Sequence, residues 1–384
     1  MGVASVDVPI AGNSAMYGRV RDEFLSYGLA ARLRIGGELM NQTMGYSIFG
    51  TQYLGSSIAS NLAQGLSWQI AGTPSGKTNL IVLVSAGRSS TSSAFPLDPQ
   101  VGSTTVVPIG GSTITSAALS ETLVAQPSGK VSFTETTGAT LSRTTGAADF
   151  TSLQLTGLGS AKSLHGRDAY SLNAQAATTS FLSEGANATA LGNQGTILTA
   201  TLTGGWDRQY SAATSTEVQV GGLLVWLPKP DTLAFAPAFL ANLNYAANPW
   251  FATVSVFQQP IVNSYVGNVV IGDGVTVRLS LPLNALQTWT VSGLAGYTYG
   301  RAVGSTLGGF YETDRGYDLI TGGANTSYNF QRIPLFVSAN ATYTKQRGSS
   351  LPGYTLPDTT RMLFWVSVGA ALQWGEGSRG FRRQ

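Results

Sequence analysis

The 384-residue sequence predicts an all-β fold, a transmembrane antiparallel up-and-down barrel of about 16 to 18 strands. Three observations predict it. Apolar and polar residues alternate in segments of about ten residues. No apolar run reaches the roughly 18 residues that a membrane helix needs. Charged residues make up only 11% of the chain, where soluble domains carry about 25%.

A chain so poor in charge, with 47 glycines and 43% hydrophobic residues, fits an exterior that faces lipid. In lipid every backbone N–H and C=O must be paired within the protein, which only helices and closed barrels achieve. With no helical span, the barrel remains. The net charge of +3 and the scattering of basic residues, apart from Arg382 and Arg383, argue against a nucleic-acid partner. Cysteine is absent, so disulfides, thiolate metal sites and cysteine nucleophiles are excluded together. Met1-Gly2-Val3 opens without a basic and then apolar leader, and is read as a mature form with an added Met. Val6 stands where a myristoylated chain would carry Ser or Thr.

Four segments show the alternation best. Tyr27, Leu29, Ala31, Leu33 and Ile35 form one apolar face, with Gly28, Arg32 and Arg34 on the other. Leu198, Ala200, Leu202, Gly204 and Trp206 alternate with Thr199, Thr201 and Thr203. Val275, Val277, Leu279, Leu281 and Leu283 alternate with Thr276, Arg278 and Ser280. Met362, Phe364, Val366, Val368, Ala370, Leu372 and Trp374 form the last and longest apolar face. A soluble sandwich would also alternate, but segments such as 196–206, 231–245 and 360–374 match or exceed the roughly 9 to 11 residues of a tilted membrane strand.

Connections alternate between short and long. Short turns are expected at Thr73–Lys77, Pro127–Lys130, Ala246–Pro249, Pro282–Gln287 and Asn329–Arg332. Long polar stretches are expected at 88–115, 136–149, 182–195, 258–273, 301–316 and 345–359. Segment 88–115 could fold inward as a constriction or outward as a loop. Tryptophans near strand ends, Trp226, Trp250, Trp289 and Trp374, read as an interfacial girdle, where an amphipathic ring suits the headgroup level. Pro237 interrupts the pattern Leu233, Phe235, Phe239, and a bulge is expected there because proline cannot donate to a ladder. The domain reading is an N-terminal extension over 1–26 that could include a first strand, a barrel over 27–374, and a tail over 375–384.

The last strand carries Ser367-Val368-Gly369-Ala370-Ala371-Leu372-Gln373-Trp374: a polar residue, Gly two positions on, then two hydrophobic residues separated by one. This run resembles the C-terminal assembly signal of Gram-negative outer-membrane β-barrel proteins of the porin-like kind. The resemblance implies location in the bacterial outer membrane, contact with its lipid and lipopolysaccharide, and recognition of Ser367, Gly369, Leu372 and Trp374 by the barrel-assembly machinery. It covers eight residues, and the chain departs from the pattern by running on from Gly375 to Gln384.

Other motifs point to structure. Ala71-Gly72-Thr73-Pro74-Ser75-Gly76-Lys77-Thr78 fits a relaxed phosphate loop, but that loop needs a helix directly after it, and Leu80, Val82, Val84 and Ala86 alternate as a strand. The same Pro-Ser-Gly-Lys recurs at Pro127–Lys130, as a repeated hairpin turn would. His165 is the one imidazole available as a general base, and its place beside a turn reads as a solvated loop residue. No metal site built on several His or Cys ligands can exist, and Glu312, Asp314 and Asp318 read as a solvated acidic loop. No cofactor is expected.

Parity puts Arg32, Arg34, Arg278 and Arg361, with Glu217 and Gln219, on the polar face. A charge on the lipid face costs about 2 to 4 kcal/mol near the midplane, so these residues are assigned to the channel lining. They could select anionic or hydroxyl-rich solutes, or form salt bridges that only brace the wall. Passive or weakly selective diffusion of small hydrophilic solutes is the first functional expectation. The second is a non-enzymatic barrel subunit of an envelope complex for polysaccharide export, adhesion or motility, bound to other envelope proteins or to copies of itself. The third is an outer-membrane hydrolase using His165, though the chain is not expected to be an enzyme.

Overall fold

The computed structural model describes residues 2–9, 17–37, 39–53, 61–91, 112–145, 150–182, 196–228, 231–263, 268–302, 316–331, 333–347, 350–351, 354–355 and 359–370. In chain order the strands begin with β1 (Gly2–Pro9), β2 (Tyr17–Gly36), β3 (Met40–Tyr53), β4 (Asn61–Ser75), β5 (Thr78–Thr91), β6 (Ser112–Ser128) and β7 (Val131–Thr145). They continue with β8 (Phe150–His165), β9 (Asp168–Leu182), β10 (Thr196–Gln209), β11 (Thr214–Leu227), β12 (Thr232–Ala247), β13 (Trp250–Asn263) and β14 (Asn268–Pro282). The last are β15 (Trp289–Ala302), β16 (Gly316–Asn329), β17 (Leu335–Arg347), the short β18 (Ser350–Leu351) and β19 (Tyr354–Thr355), and β20 (Thr359–Ala370).

From β2 to β17 each strand pairs antiparallel with the next in sequence, and β17 pairs with β20. β1 pairs with both β2 and β20, so the 18-stranded sheet closes on itself. This is the up-and-down barrel that the alternation predicts. Gly2 faces Phe24 and Trp365, so β1 covers only part of the height of its neighbours. From Leu25 to Gly36 the described ladder of β2 runs to β3 alone.

The two ends of the barrel differ. At one end the hairpins turn tightly, at Gly76-Lys77, Gly129-Lys130, Gly166-Arg167 and Asn248-Pro249, and through 210–213, 283–288 and 330–334. At the other end, connections 92–111, 183–195 and 303–315 are longer and lie outside the described residues. Both Pro-Ser-Gly-Lys segments are such hairpins, with the same register shift, Gly72/Ser75 and Ala125/Ser128. In each, the Ser hydroxyl accepts from the Lys backbone N–H at 3.4 Å. Gly166 has φ +67, a left-handed conformation that glycine adopts at no steric cost.

Several expectations change. Within 1–26, where the sequence allows a first strand, residues 2–9 form β1 and residues 17–26 already belong to β2. β7 runs to Thr145, and β13 and β14 run through most of 258–273, so those long connections are shorter than the polarity of 136–149 and 258–273 implies. The bulge expected at Pro237 is absent. β12 keeps register with β11 through the Gly222–Pro237 pair, while its ladder to β13 stops at Phe239 and Gln258. No bond on that side requires the missing N–H. Pro260 of β13 lies past the end of the same ladder and pairs only with Ile271 of β14.

Candidate functional site

Which face meets lipid follows from exposure. Val220 is 62% and Val368 72% exposed, and Leu29, Leu66, Leu172, Leu202, Leu233 and Phe364 share that outer face. The alternate residues form the lumen wall, which has two zones. Towards the long connections, Ile197, Leu223, Val225, Leu227, Ala236 and Ala238 pack into a buried apolar cluster with Ile271. Towards the tight turns the wall is polar and hydrogen-bonded. The Asn173 carboxamide accepts from Ser160 at 2.6 Å and donates to Gln219 at 3.3 Å. Gln219 also accepts from Thr203 at 3.3 Å. The Glu217 carboxylate accepts from Gln219 at 2.6 Å and from Asn242 at 2.9 Å. Lys162 and Asp207 form an ion pair, and Thr253 donates to Asn244 at 2.9 Å.

Of the expected lining residues, Glu217 and Gln219 sit inside this lattice. Arg32, Arg34 and Arg278 lie on the same lumen side, since the residues directly opposite them share their face: Gly45 and Thr43 for the first two, Thr253 and Leu294 for the third. None of the three has a carboxylate opposite it in the ladder or an ion pair among the described residues. Arg361 holds a register position opposite Thr344, and its side chain lies outside the described part.

Over β13 to β16, Arg278 forms one side of a recess of about 600 Å³ in the lumen wall. Ser280, Thr290, Ser292, Asn325 and Ser327 surround it, and Phe251 stands at its turn-side end. Thr290 and Ser327 share a hydrogen bond of 2.8 Å, and the Asn325 amide N–H donates to Asn340. The recess has no sequence signature, because register alone gathers residues from four strands.

Trp226, Trp250 and Trp289 are exposed on the outer face, Trp226 towards the long connections and the other two at the tight-turn end. Their indole N–H groups are used where the ring is tethered: Trp226 donates to Asp231 at 3.1 Å and Trp289 to Thr326 at 2.8 Å. Trp206, which donates to Asp168 at 3.0 Å, joins Tyr170, Tyr245 and Tyr328 in the same outer belt near the turns. Trp374 and Leu372 lie outside the described residues. Ser367 and Gly369 are on β20, and a Cβ added to Gly369 would collide with the ring of Phe336 on β17. Gly28 under Phe49 and Gly274 under Phe257 repeat this pairing of a glycine with a neighbouring strand's ring. Many glycines are thus the space into which aromatic rings fold.

His165 stands exposed at the turn end of β8, with the Tyr170 ring 5.9 Å away edge-on and no hydrogen bond to a hydroxyl or carboxylate among the described residues. Glu312 and Asp314 lie outside the described residues. Asp318 accepts from the Tyr297 hydroxyl at 2.5 Å.

Parity does not assign every charge to the lumen. Glu121 and Glu135 share the outer face with Leu119, Phe133 and Leu141, and are diagonal neighbours because Glu121 opposes Thr137 and Leu123 opposes Glu135. Glu135 stands at the rim of a shallow outer groove floored by Gly157, Ala174 and Ala200.

No family model and no curated protein sequence matches the chain. Solved structures do. The chain is similar to the FrpB iron transporter from Neisseria meningitidis, F5-1 variant, at 7% identity and a TM-score of 0.51, over 96% of this chain and 82% of that one. It is similar to the siderophore receptor PiuA from Acinetobacter baumannii at 8% identity and a TM-score of 0.51, over 95% of this chain and 69% of that one. The fold is an outer-membrane β-barrel. Identities this low bear on the fold, and they carry neither the iron nor the siderophore across to this chain.

Proposed function

We propose that the chain is an outer-membrane channel through which small hydrophilic solutes diffuse, with a preference for anionic or hydroxyl-rich ones. The observation that carries this reading is the polar lumen wall near the turns, where Arg32, Arg34 and Arg278 have no anionic partner among the described residues while Glu217 is held by two amides. Barrels of 16 to 18 strands enclose water, roughly speaking, where eight-stranded ones fill with side chains. Partners on this reading are the membrane lipid, lipopolysaccharide and the assembly machinery that reads the last strand. Planar-bilayer recording of the purified protein tests it: discrete conductance steps that favour anions support the channel, and a silent membrane overturns it.

A second reading is a selective receptor that captures a ligand before passage. The buried apolar cluster around Leu223 and Val225 favours it, because that part of the lumen wall is dry. Its test is saturable binding of a ferric chelate by a barrel that conducts nothing.

A further inference from the structure

We propose that the recess beside Arg278 is a binding site for a sugar acid, a hydroxyl-rich ring bearing one carboxylate. This deepens the channel reading and rests on it for access to the lumen. The guanidinium of Arg278 presents a planar fork that matches a carboxylate with two parallel hydrogen bonds. Its directly opposed residues are Thr253 and Leu294, and no carboxylate among the described residues pairs with that fork. A single fixed charge suits a singly charged solute.

The remaining groups suit the rest of such a solute. Ser280, Ser292, Thr290 and Ser327 offer hydroxyls that both donate and accept, as a polyol requires. Asn325 donates to Asn340, which leaves its carbonyl oxygen able to accept from a solute hydroxyl. Phe251 is 42% exposed on the lumen side and gives the C–H face of a pyranose an apolar surface. The volume of about 600 Å³ falls within the roughly 300 to 1,000 Å³ of small-molecule sites. Inorganic phosphate would use the arginine and leave the other groups idle, and a neutral sugar would leave the charge unpaired.

The test uses the purified full chain in detergent, titrated calorimetrically with glucuronate, glucose, acetate and inorganic phosphate, alongside bilayer recording with the same solutes. Glucuronate is expected to bind saturably, at least tenfold more tightly than glucose, acetate or phosphate, and to reduce the single-channel current. Arg278→Gln should weaken glucuronate binding at least tenfold and leave the weak glucose binding unchanged. Phe251→Leu, which keeps an apolar side chain, should weaken glucuronate and glucose alike by several fold. Unchanged electrophoretic mobility of the folded variants confirms that they still close.

Equal binding of all four solutes, binding of phosphate alone, or glucuronate binding indifferent to Arg278→Gln overturns the site. Conductance without any effect of glucuronate removes the site and leaves the channel standing. Glucuronate binding that depends on Arg278 in a barrel that does not conduct removes the channel and leaves the site.

Discussion

Replacing lumen arginines should change ion selectivity by an amount the barrel's geometry sets. For an 18-stranded wall, strands about 4.8 Å apart and tilted about 40° give a radius of about 18 Å, and side chains reaching about 7 Å inward leave charges about 11 Å from the axis. Among the lumen-wall side chains that the structure describes, Arg32, Arg34 and Arg278 against Glu217 leave two positive charges, since Lys162 and Asp207 pair with each other. In water one charge at that distance is worth about 0.4 kcal/mol, screened to about 0.26 kcal/mol at about 10 mM salt. Two charges therefore enrich anions and deplete cations about 2.4-fold each, an anion-to-cation ratio of about six. At about 0.1 M salt the ratio falls to about two, and at about 1 M it vanishes. Arg278→Gln should lower the low-salt ratio to about 2.4, the Arg32→Gln, Arg34→Gln pair to about one, and all three together should invert it. Reversal potentials across a bilayer in a KCl gradient read this directly. A cation-selective parent at low salt, or a ratio that ignores the double substitution, would refute the reasoning.

Gly369→Ala should cost about 1 to 3 kcal/mol through overpacking against Phe336, seen as a lower urea midpoint, and Phe336→Leu in the same chain should recover most of it. A cycle showing simple additivity would mean the ring and the glycine are not coupled. Glu121→Leu and Glu135→Leu remove carboxylates from the lipid face and should each stabilise the barrel in vesicles by about 1 kcal/mol, since acidic residues cost less there than basic ones; a loss of stability would show that something else holds them. Asn242→Ala withdraws the 2.9 Å donor from Glu217 and should cost about 1 kcal/mol, an effect that Glu217→Ala in the same chain should largely cancel. His165→Ala should leave any measured transport unchanged, and loss of an accompanying hydrolytic activity in that variant would revive the catalytic alternative.

Alternation exposed the fold because the two faces meet different solvents. Leu202 and Val220 could not trade places with Thr203 and Gln219 without putting polar groups into lipid. Turn chemistry was equally local, so Pro74–Lys77 and Pro127–Lys130 could be read without knowledge of the partner strands. The start of the chain was harder. Arg19, Arg21, Asp22 and Glu23 place charges at both parities, so β2 shows its period only from Tyr27 onward. Pro237 was misread because a strand's own sequence does not say where its neighbour's ladder ends. The candidate site divides in the same way. Parity located Arg32, Arg34, Arg278 and Ser280 on the lumen side, but Phe251, Ser292 and Ser327 become neighbours of Arg278 only through the registers of three ladders. Glu121 and Glu135 escaped the rule that charge avoids lipid, although Leu119 and Leu123 flank the first, and Phe133 the second, at the same parity.

One consequence of the strand order concerns how such a molecule can be made. From β2 to β17 every strand lies beside the one that follows it in the chain, so nearly all of the hydrogen-bonded ladder forms between residues close in sequence, where loop-closure entropy is small. The exception is the meeting of β1 with β20, which brings Gly2 beside Trp365. Assembly thus divides into many inexpensive hairpin zippering events and one late act of ring closure. That last act waits on β1 and β20 at once.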